Sequence, residues 1–504
     1  MRCTENDLLF IVKLKNLLYA LEPLEVVGSV DCEITSISYD SRKVSEGSMF
    51  FAWKGQKTDG HCYIGEAIEK RARAIVCSEI PRLYVSQAVT FLKVRDPRRT
   101  LGKAASLYYG NPSQHLSLVG VTGTNGKTTT SFLTRYLLEK QNWKAGLIGT
   151  VCYDTTESCI PSSRTCPEGS DLQYMLYRMV QAGCRAAVVE VSSHALDQGR
   201  IEGSNFRVGI YTNFTQDHLD YHLTMEEYRR SKENFIAYIR GGKEGDGGVV
   251  LNLDDPQWRL LAEKLRKKMR IVTVSSEGRK EADLKAGSIS CDRFSTKFVL
   301  EWAGKVFKVK SSLLGYFNVD NALLSLGGVL LLGIPLEQSI SFLEFFPGVP
   351  GRMEKYYSKD GLLVVIDYAH SEDALSKLLH TLKCFQPKRL ILVVGCGGDR
   401  DRLKRPRMAK VASENADIVF FTSDNPRSES PERIFDDMRA GVEESKKLHW
   451  IIDREEAIKQ ALCLADSTDI VCIAGKGHED YQEIGGVFYP FSDRLVVQKH
   501  LKQR

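Results

Sequence analysis

The segment 116–137 constrains the fold more than any other part of the chain. A strand-like apolar run, Leu116 to Val121, leads directly into Thr122-Gly-Thr-Asn-Gly-Lys-Thr-Thr129. A helical pattern follows, with Phe132, Leu133, Tyr136 and Leu137 on one stripe. A strand, a glycine-containing loop and a helix in this order predict a βα unit whose loop holds phosphate groups at the start of the helix.

The residue types in this loop fit phosphate chemistry. Gly123 and Gly126 allow a polyphosphate to approach the backbone closely, Lys127 would reach the β- and γ-phosphates, and the Thr128 hydroxyl would contact Mg²⁺. The spacing differs from the ordinary G-x-x-x-x-G-K-[ST] pattern because position 121 is Val. The alternative is a glycine-rich turn with a chance Gly-Lys-Thr, and the flanking strand and helix favour the phosphate loop.

Composition excludes several classes of protein. The 69 Lys and Arg residues against 64 Asp and Glu leave a formal charge of +5, which gives no support for nucleic-acid or membrane binding through bulk charge. No apolar stretch reaches the ~18 residues of a membrane span. Thirteen cysteines without a Cys-x-x-Cys pair are typical of reduced thiols in a cytoplasm rather than of a disulfide framework or a zinc site.

The chain divides into three regions, and we predict an α/β protein of three domains. Residues 1–97 form a small N-terminal α/β domain, 98–346 a central P-loop ATPase-like domain with a parallel sheet, and 347–504 a C-terminal Rossmann-like domain. Further strand-like runs in the central region are Ala186 to Val191, Val208 to Asn213 and Val249 to Leu253. In the last region they are Leu362 to Ile366, Leu390 to Val394, Ile418 to Thr422, Trp450 to Ile452 and Ile470 to Ala474.

Four polar clusters in the last region each follow a predicted strand. They are Asp367 to His370, Gly397 to Arg402, Asp424 to Arg427 and Gly475 to Glu479. Ligands of open α/β sheets bind beyond the carboxyl ends of the strands. We therefore expect the four clusters to form one shared site.

Two further residues are candidates for metal and carboxylate chemistry. Glu190 ends a buried strand, where an unpaired carboxylate would be costly, and His218 follows another strand. Mg²⁺ prefers oxygen ligands, so a histidine ligand indicates a second, less typical divalent site. The alternatives are a capped helix start for Glu190 and a hydrogen-bonded loop histidine for His218, and spacing alone does not decide between these and the metal site.

The order of these motifs resembles that of the Mur ligases over essentially the whole chain. The shared motifs are Thr122 to Thr129, Glu190-Val-Ser-Ser-His194, Thr212-Asn213, Asp217-His-Leu-Asp220, Tyr228-Arg-Arg-Ser-Lys232, Leu314-Gly-x-x-Asn318-x-x-Asn321, Gly351-Arg352 and Asp367-Tyr-Ala-His370. The runs Gly397 to Arg400, Asp424-Asn-Pro-Arg427 and Gly475-Lys-Gly-His-Glu479 look like the MurE branch of this family.

The resemblance implies an ATP-dependent, ADP-forming amide ligase of cytoplasmic peptidoglycan precursor synthesis. Such an enzyme activates the D-Glu carboxylate of UDP-MurNAc-L-Ala-D-Glu as an acyl phosphate, which an incoming amine attacks. The cofactors implied are ATP and Mg²⁺, and the partners are the two small-molecule substrates. We expect no nucleic-acid partner and no membrane span, and we expect the enzyme to be a monomer.

The resemblance also assigns roles in the ATP site. Gly123, Thr124, Asn125, Gly126, Lys127, Thr128 and Thr129 would cradle the triphosphate, and Asn318, Asn321, Arg352 and Asp367 would hold the rest of the nucleotide. Spacing alone leaves open that Asn318 and Asn321 only cap or pair on a helix. Lys127, Glu190, His218 and Lys232 would be catalytic. Thr128, Glu190, His218 and a carbamylated Lys232 would bind metal, whereas a solvated helix lysine is the alternative for Lys232. Relatives usually have His where this chain has Phe317.

The residues implied for the UDP-MurNAc-dipeptide come from two regions. They are Tyr39, Ser41, Gln56, Lys57 and Thr58 in the first, and Thr165, Cys166, Ser192, Gln198 and Arg200 in the second. Many relatives read Asn-Thr-Thr where this chain has Arg164-Thr165-Cys166.

The third amino acid is implied to be meso-diaminopimelate, because Asp-Asn-Pro-Arg marks the enzymes that add it and lysine-adding relatives lack the Arg. A guanidinium binds a carboxylate through two parallel hydrogen bonds, so Arg427 would bind the distal carboxylate that lysine lacks. The other implied contacts are Arg400, Asp424, Asn425, Pro426, Gly475 and Glu479. The alternatives are a lysine-adding relative, a folylpolyglutamate synthetase-like ligase and a non-catalytic nucleotide-gated binding protein. For Arg427 itself the alternative is a surface salt bridge after a proline turn.

Overall fold

The computed structural model describes residues 11–55, 58–84, 89–240, 246–443, 445 and 447–502. The chain forms two compact units. The first comprises the described residues up to Ser275 with Arg279–Leu284 and Leu323–Ser339, and the second comprises Ser276–Gly278, Lys285–Ala322 and the described residues from Ile340 onward.

The N-terminal part of the first unit is a small α/β layer structure. Its elements are β1 Val12–Lys13, α1 Leu14–Leu21, β2 Glu25–Val27, β3 Glu33–Ile34, β4 Ser36–Ser38, β5 Ser48–Ala52, α2 Ile64–Glu69, β6 Ala74–Cys77, β7 Thr90–Lys93 and α3 Pro97–Tyr108. The main sheet has the order β2-β7-β6-β5-β4, parallel except for β2. All residues of β5 and β6 are buried, as expected for parallel strands covered on both faces.

The central part of the first unit begins with the predicted βα unit. Its elements are β8 Ser117–Thr122, α4 Lys127–Lys140, β9 Ala145–Ile148, β10 Cys152–Asp154, β11 Cys159–Pro161, α5 Gly169–Gln181, β12 Ala186–Glu190, α6 Ser193–Asp197, β13 Val208–Tyr211, α7 Leu219–His222, α8 Met225–Glu233, β14 Gly248–Asn252, α9 Pro256–Leu265 and β15 Arg270–Ser275.

These strands lie in the order β11-β10-β9-β12-β8-β13-β14-β15. The strands β9, β12, β8, β13, β14 and β15 pair in parallel. Strands β10 and β11 add an antiparallel edge that the sequence did not indicate. Strand β8 lies between β12 and β13. The phosphate loop, Glu190 and Thr212 therefore lie at the carboxyl ends of three adjacent strands.

The remaining elements follow residue 283. They are β16 Leu284–Cys291, β17 Thr296–Trp302, β18 Lys305–Ser311, α10 Tyr316–Leu331, α11 Leu336–Phe342, β19 Glu354–Tyr357, β20 Leu363–Asp367, α12 Glu372–Lys383, β21 Leu390–Cys396, α13 Lys404–Asn415, β22 Ile418–Ser423, α14 Pro431–Arg439, β23 Leu448–Trp450, α15 Arg454–Leu464, β24 Ile470–Ala474, β25 Tyr481–Ile484, β26 Val487–Pro490 and α16 Asp493–Leu501.

The second unit contains a six-stranded sheet of order β19-β20-β24-β21-β22-β23, parallel except for β19. Hydrophobic clusters cover both of its faces, which gives the doubly wound architecture that the sequence predicts. The strand predicted at Trp450 to Ile452 is shifted, because β23 pairs with β22 through Leu448 to Trp450 and Ile451 packs beyond it against a core cluster.

Four adjacent strands of this sheet carry the polar clusters at their carboxyl ends. Asp367 ends β20, and the other three clusters follow β24, β21 and β22. The backbone joins them, since Gly475 N donates to Asp367 O (3.1 Å) and Gly398 N donates to Asn425 O (2.9 Å). The expected convergence of the clusters is therefore present.

None of the helices in the described ranges is long and apolar enough to cross a bilayer. The cysteines among the described residues are all free thiols.

Candidate active site

The phosphate loop requires glycine at two positions. Gly123 has φ +140°, and a Cβ there would lie 1.9 Å from Thr212 Oγ1, which is closer than any real contact. Gly126 has φ 82° and is the residue before α4. Left-handed backbone is readily adopted only by glycine, so neither residue can be exchanged without moving the loop.

The loop is tied to the segment that follows β13. Thr124 N donates to Asn213 O (2.8 Å), and Asn125 N donates to Asn213 Oδ1 (2.9 Å). The Thr212 hydroxyl donates to Asn125 O (2.6 Å). These bonds fix the loop against a neighbouring strand end, and they give Thr212 and Asn213 a structural role beside the phosphate loop.

Two lysines are held by the carbonyl groups of this loop. Lys127 Nζ donates to Gly123 O (3.0 Å) and Thr124 O (2.8 Å), and Lys232 Nζ donates to Gly123 O (2.8 Å). Lys232 is only 1% exposed. Burial is the largest cause that lowers the pKa of Lys232 well below the ordinary value, and the charge of Lys127 lowers it further. A solvated helix lysine is therefore excluded.

Glu190 is fully buried among hydroxyl and amide donors. Its carboxylate accepts hydrogen bonds from Thr128 Oγ1 (3.1 Å), Thr150 N (2.9 Å) and Thr150 Oγ1 (2.9 Å). It does not cap α6, because Ser192 accepts the capping bond from Ala195 N. The oxygen atoms of Thr128 and Glu190 are the donors that Mg²⁺ prefers, so these residues fit the implied ion.

His218 lies at the start of α7 in the left-handed region, with φ 54°. Its ring centroid is 4.8 Å from that of His194, and its Nε2 is 3.5 Å from Asp217 Oδ2. The sequence singled out His218 but not His194. The signal that could have identified His194 was its place at the end of the Glu190 to His194 motif.

A pocket of about 220 Å³ joins the phosphate loop to residues implied for the dipeptide. It is lined by Lys127, Arg164, Thr165, Ser192, His194, Arg200 and His218. Thr165 Oγ1 lies 3.2 Å from Thr150 Oγ1, which also contacts Glu190. The pocket thus combines positive charge with hydroxyl groups beside the phosphate loop.

Glu168 balances three arginines next to this pocket. It accepts bonds from Arg98 Nε (3.2 Å) and Nη2 (2.6 Å), pairs with Arg164, and lies 3.4 Å from Arg200 Nε. Burial raises the pKa of Glu168, but the bond from Arg98 and the charges of the arginines outweigh this effect, and the net pKa is lowered. Three cations on one carboxylate leave an excess of positive charge.

Cys166 and Gln198 both contact Arg200, one through its backbone and the other through its side chain. The Cys166 thiol is buried in the hydrophobic core, and burial raises its pKa to about 12. Its carbonyl accepts a bond from Arg200 Nη1 (2.9 Å). Gln198 Oε1 accepts from Arg200 Nη2 (2.5 Å), so both residues orient the arginine.

Tyr39 and Ser41 follow β4, the strand at one edge of the N-terminal sheet. Tyr39 OH donates to Asp171 Oδ2 on α5 (2.7 Å), and Ser41 Oγ donates to Glu66 Oε2 (2.8 Å). Thr58 is exposed. Gln56 and Lys57 lie outside the described residues.

The residues implied for the nucleotide base region lie in the second unit. Asn318 Nδ2 donates to Leu314 O (2.8 Å), and Asn321 Nδ2 donates to Asn318 Oδ1 (2.8 Å); Phe317 is partly exposed beside them. The asparagines therefore form a bonded pair on α10.

Arg352 and Asp367 both lie near the end of β20. The Arg352 guanidinium lies 4.6 Å from the Tyr368 ring, and Asp367 accepts bonds from Met353 N (2.7 Å) and Ala369 N (2.8 Å). Burial raises the pKa of Asp367 although Arg352 opposes it.

The turn 424–427 presents the residues implied for the incoming amino acid. Arg427 Nε donates to Glu483 Oε2 (3.1 Å), and Nη1 donates to Gly398 O (2.6 Å). Asn425 Nδ2 donates to Glu479 Oε2 (2.8 Å). A Cβ on Gly475 would lie 2.7 Å from Asp424 Oδ2. Arg400 is exposed, and Pro426 is buried.

Lys476 connects the residues of this region, although sequence reasoning did not assign it a role. Its buried Nζ donates to Asn425 Oδ1 (2.9 Å) and Glu479 Oε2 (3.1 Å). Its place between two glycines of the 475–479 run was a usable signal. Glu483 carries no such signal, because it lies beyond every motif of the sequence.

Three family descriptions match the chain in the order of these sites. They are Mur ligase family, catalytic domain, over residues 33–109; Mur ligase middle domain over 121–329; and Mur ligase, glutamate ligase domain, over 351–477. The chain belongs to the Mur ligase family.

Relatives within this family agree over nearly the full length. The chain is 40% identical to UDP-N-acetylmuramoyl-L-alanyl-D-glutamate--2,6-diaminopimelate ligase of Cytophaga hutchinsonii, over 97% of this chain and 99% of the relative. A solved structure of a ligase with the same name is 33% identical with a TM-score of 0.70, over 98% of this chain and 99% of that one. The expected resemblance and the α/β fold are confirmed.

A more distant structure shares the fold alone. It is a MurF ligase of Thermotoga maritima in complex with ADP, 21% identical with a TM-score of 0.62, over 93% of this chain and 98% of that one. The Mur ligase architecture is therefore retained at low sequence identity.

Proposed function

We propose that this Mur ligase adds meso-diaminopimelate to the D-Glu residue of UDP-MurNAc-L-Ala-D-Glu, in an ATP-dependent, ADP-forming reaction of peptidoglycan precursor synthesis. The observation that carries the proposal is the pocket in which Lys127 of the phosphate loop shares one cavity with Thr165 and Arg200. Transfer of a phosphoryl group to a carboxylate requires these two anions to meet against positive charge.

The first step is formation of an acyl phosphate. The loop amides and Lys127 bind the triphosphate, while Arg164 and Arg200 supply positive charge for the carboxylate of the dipeptide substrate. The carboxylate oxygen attacks the γ-phosphorus, and ADP leaves. Mg²⁺, held by Thr128 and Glu190, would neutralise phosphate charge when bound.

Lys232 has the properties required for carbamylation. Its lowered pKa favours the neutral amine, which can attack CO₂ and release a proton. The carbamate would turn a buried cation into an anion, and together with His218 it would support a second metal ion. This conversion accounts for a lysine in a buried position beside Lys127.

The second step is attack by the amino group of the incoming amino acid on the acyl phosphate, with release of phosphate. Arg427 would bind the distal carboxylate of meso-diaminopimelate, and Glu479, which Asn425 holds in place, would bind its distal ammonium group. Lysine lacks the distal carboxylate and would leave Arg427 without this partner. The lysine-adding alternative is therefore disfavoured.

The remaining assignments follow from the same proposal. Asn318, Asn321, Arg352 and Asp367 would hold the nucleotide, and the UDP-sugar would bind along the residue 39–58 region. We propose domains at 1–97, 98–346 and 347–504. The enzyme would work as a monomer in the cytoplasm, where ATP and the nucleotide-linked substrate are available, with no nucleic-acid partner.

The test is phosphate release from ATP, Mg²⁺ and the muramoyl dipeptide with each of several amino acids. We expect release with meso-diaminopimelate and little with L-lysine or L-glutamate. Phosphate release with lysine alone would reject the choice of amino acid. Phosphate release with glutamate, when a folate replaces the muramoyl dipeptide, would favour the folylpolyglutamate synthetase-like alternative. No release with any amino acid would favour a nucleotide-gated binding protein.

A further inference from the structure

The β25–β26 hairpin is hydrogen-bonded to three residues of the 424–427 turn. Arg427 N donates to Glu483 O (3.0 Å), and Gly485 N donates to Arg427 O (2.6 Å). Gln482 Nε2 donates to Asp424 O (2.8 Å), and Glu483 N donates to Asn425 Oδ1 (3.0 Å). The turn therefore takes its conformation from the hairpin as well as from β22.

This attachment holds Arg427 in an uncommon backbone conformation. Its φ of 53° lies in the left-handed region, where a residue with a long side chain is rare. The bonds on both sides of Arg427, to Glu483 and Gly485, fix its direction. Such a conformation persists where the surrounding structure determines it, and it is frequent at ligand-binding sites.

The hairpin also fixes the guanidinium itself. Glu483 Oε2 accepts from Nε, and Gly398 O accepts from Nη1, while the Arg427 and Glu483 side chains are 21% and 22% exposed. A guanidinium has five N–H donors in a rigid plane. With Nε bonded to Glu483 and one hydrogen of Nη1 bonded to Gly398 O, Nη2 and the second hydrogen of Nη1 keep a set direction in which they can donate to the oxygens of a carboxylate.

We propose that Glu483 is a positioning residue that sets the selectivity of this enzyme for an amino acid with a distal carboxylate. It acts through Arg427, whose guanidinium it orients before the substrate binds. A pre-oriented guanidinium loses less side-chain freedom when it binds a carboxylate, so selectivity depends on this pair rather than on Arg427 alone. The inference rests on the proposed function and adds a residue that none of the motifs contains.

The test measures kcat and KM for meso-diaminopimelate and for lysine in E483A, E483Q and wild type. We expect E483A to lower the ratio of the two kcat/KM values by about tenfold, mainly through a higher KM for meso-diaminopimelate. The KM values for ATP and the dipeptide should not change. E483Q should keep most of the selectivity, because its amide oxygen can accept from Arg427 Nε.

A double-mutant cycle separates action through Arg427 from an independent effect. In the R427A background, E483A should change the ratio by less than about twofold, whereas independent effects would multiply. The matched control is E455A, which removes an exposed partner of Lys499 at 3.0 Å in the same unit and should leave all values at the wild-type level.

Each outcome has a defined meaning. Wild type that does not prefer meso-diaminopimelate contradicts the proposed function, whatever the variants do. Wild type that prefers it, with E483A equally selective, overturns the role of Glu483. If E483A does not fold, as judged by circular dichroism, E483D decides, because it withdraws the carboxylate by one methylene; wild-type selectivity in E483D would overturn the proposal.

Discussion

The phosphate loop and the 424–427 region handle positive charge in opposite ways. In the first, Lys127 and Lys232 are held by backbone carbonyls. In the second, Arg427 and Lys476 are held by the carboxylates of Glu483 and Glu479. A carbonyl orients a cation without cancelling its charge, whereas a carboxylate does both.

The difference corresponds to the charge of the proposed ligands. A triphosphate carries several negative charges, and a site for it benefits from positive charge that is not neutralised within the protein. An amino acid with ammonium and carboxylate groups is nearly neutral, so its site benefits from matched, pre-oriented pairs. Each region can be perturbed by removing one cation, and the expected results differ in kind.

The largest effect is expected from K127A. Loss of the loop cation should lower kcat by about a thousandfold, since its charge acts where charge builds up on the transferred phosphoryl group. Phosphate release measures the rate. The control is K140A at the other end of α4, which should retain wild-type activity. A K127A enzyme with more than a tenth of the wild-type rate would contradict the role of this lysine.

In the paired region, removal of a cation should cost stability. K476M leaves Glu479 with Asn425 but without its buried counter-charge, and we expect the free energy of unfolding to fall by about 2–3 kcal/mol. The full cost of breaking a buried pair is larger, but the Glu479 side chain is 16% exposed. Urea denaturation measures the change.

Two further variants complete this experiment. K476M/E479Q should recover part of the loss, because the unpaired charge is gone. K499M removes a cation from an exposed pair with Glu455 and should change stability by less than about 1 kcal/mol. Equal losses in K476M and K499M would show that burial of the pair does not matter.

At the phosphate loop, removal of the buried Lys232 should have the reverse effect on stability. The pKa of folded Lys232 lies well below 10.5, its ordinary value, and burial is the main cause. Between these two pKa values the unfolded chain binds a proton that the folded chain lacks, so stability rises with pH across this window. At pH 7 the lysine is therefore a cost to folding.

K232M should remove that cost while it abolishes carbamylation and lowers activity. We expect the free energy of unfolding to increase by about 1–2 kcal/mol at pH 7 and by less at pH 9, in buffers depleted of CO₂. Urea denaturation at the two pH values tests this, with K264M on the exposed side of α9 as the control. A K232M protein less stable than wild type at pH 7 would show that the bond to Gly123 outweighs burial.

Local patterns predicted much of this architecture. The apolar runs marked the parallel strands, and β24 was predicted with its observed bounds, Ile470–Ala474. The phosphate loop was recognised because all of its residues are consecutive. The clusters after β20, β21, β22 and β24 were expected to converge because parallel strands share one carboxyl edge.

What the sequence could not predict depends on contacts between distant segments. Two hairpins are exceptions, because β17–β18 and β25–β26 join neighbouring segments, and the turn residues Ala303-Gly304 and Gly485-Gly486 were usable signals for them. The pairing of Glu483 with Arg427 joins residues 56 positions apart. No local pattern specifies such a pair, and the same holds for the three arginines around Glu168.

The smallest effect is expected at Arg164, which differs from the Asn of many relatives. Its side chain is 52% exposed and pairs with Glu168, so it adds positive charge to the pocket without being buried there. R164N should raise the KM for the muramoyl dipeptide about three- to tenfold and leave kcat and the KM for ATP unchanged, because Arg200 and Lys127 remain. The increase should shrink at high salt, which screens exposed charges.

The control is R178N, which breaks the Arg178–Glu157 pair on α5 and should keep the wild-type KM. A lower kcat in R164N would place Arg164 with the groups that stabilise the transition state, and an unchanged KM would mean that Glu168 fully neutralises it, which would bring this arginine into line with the paired cations of the 424–427 region.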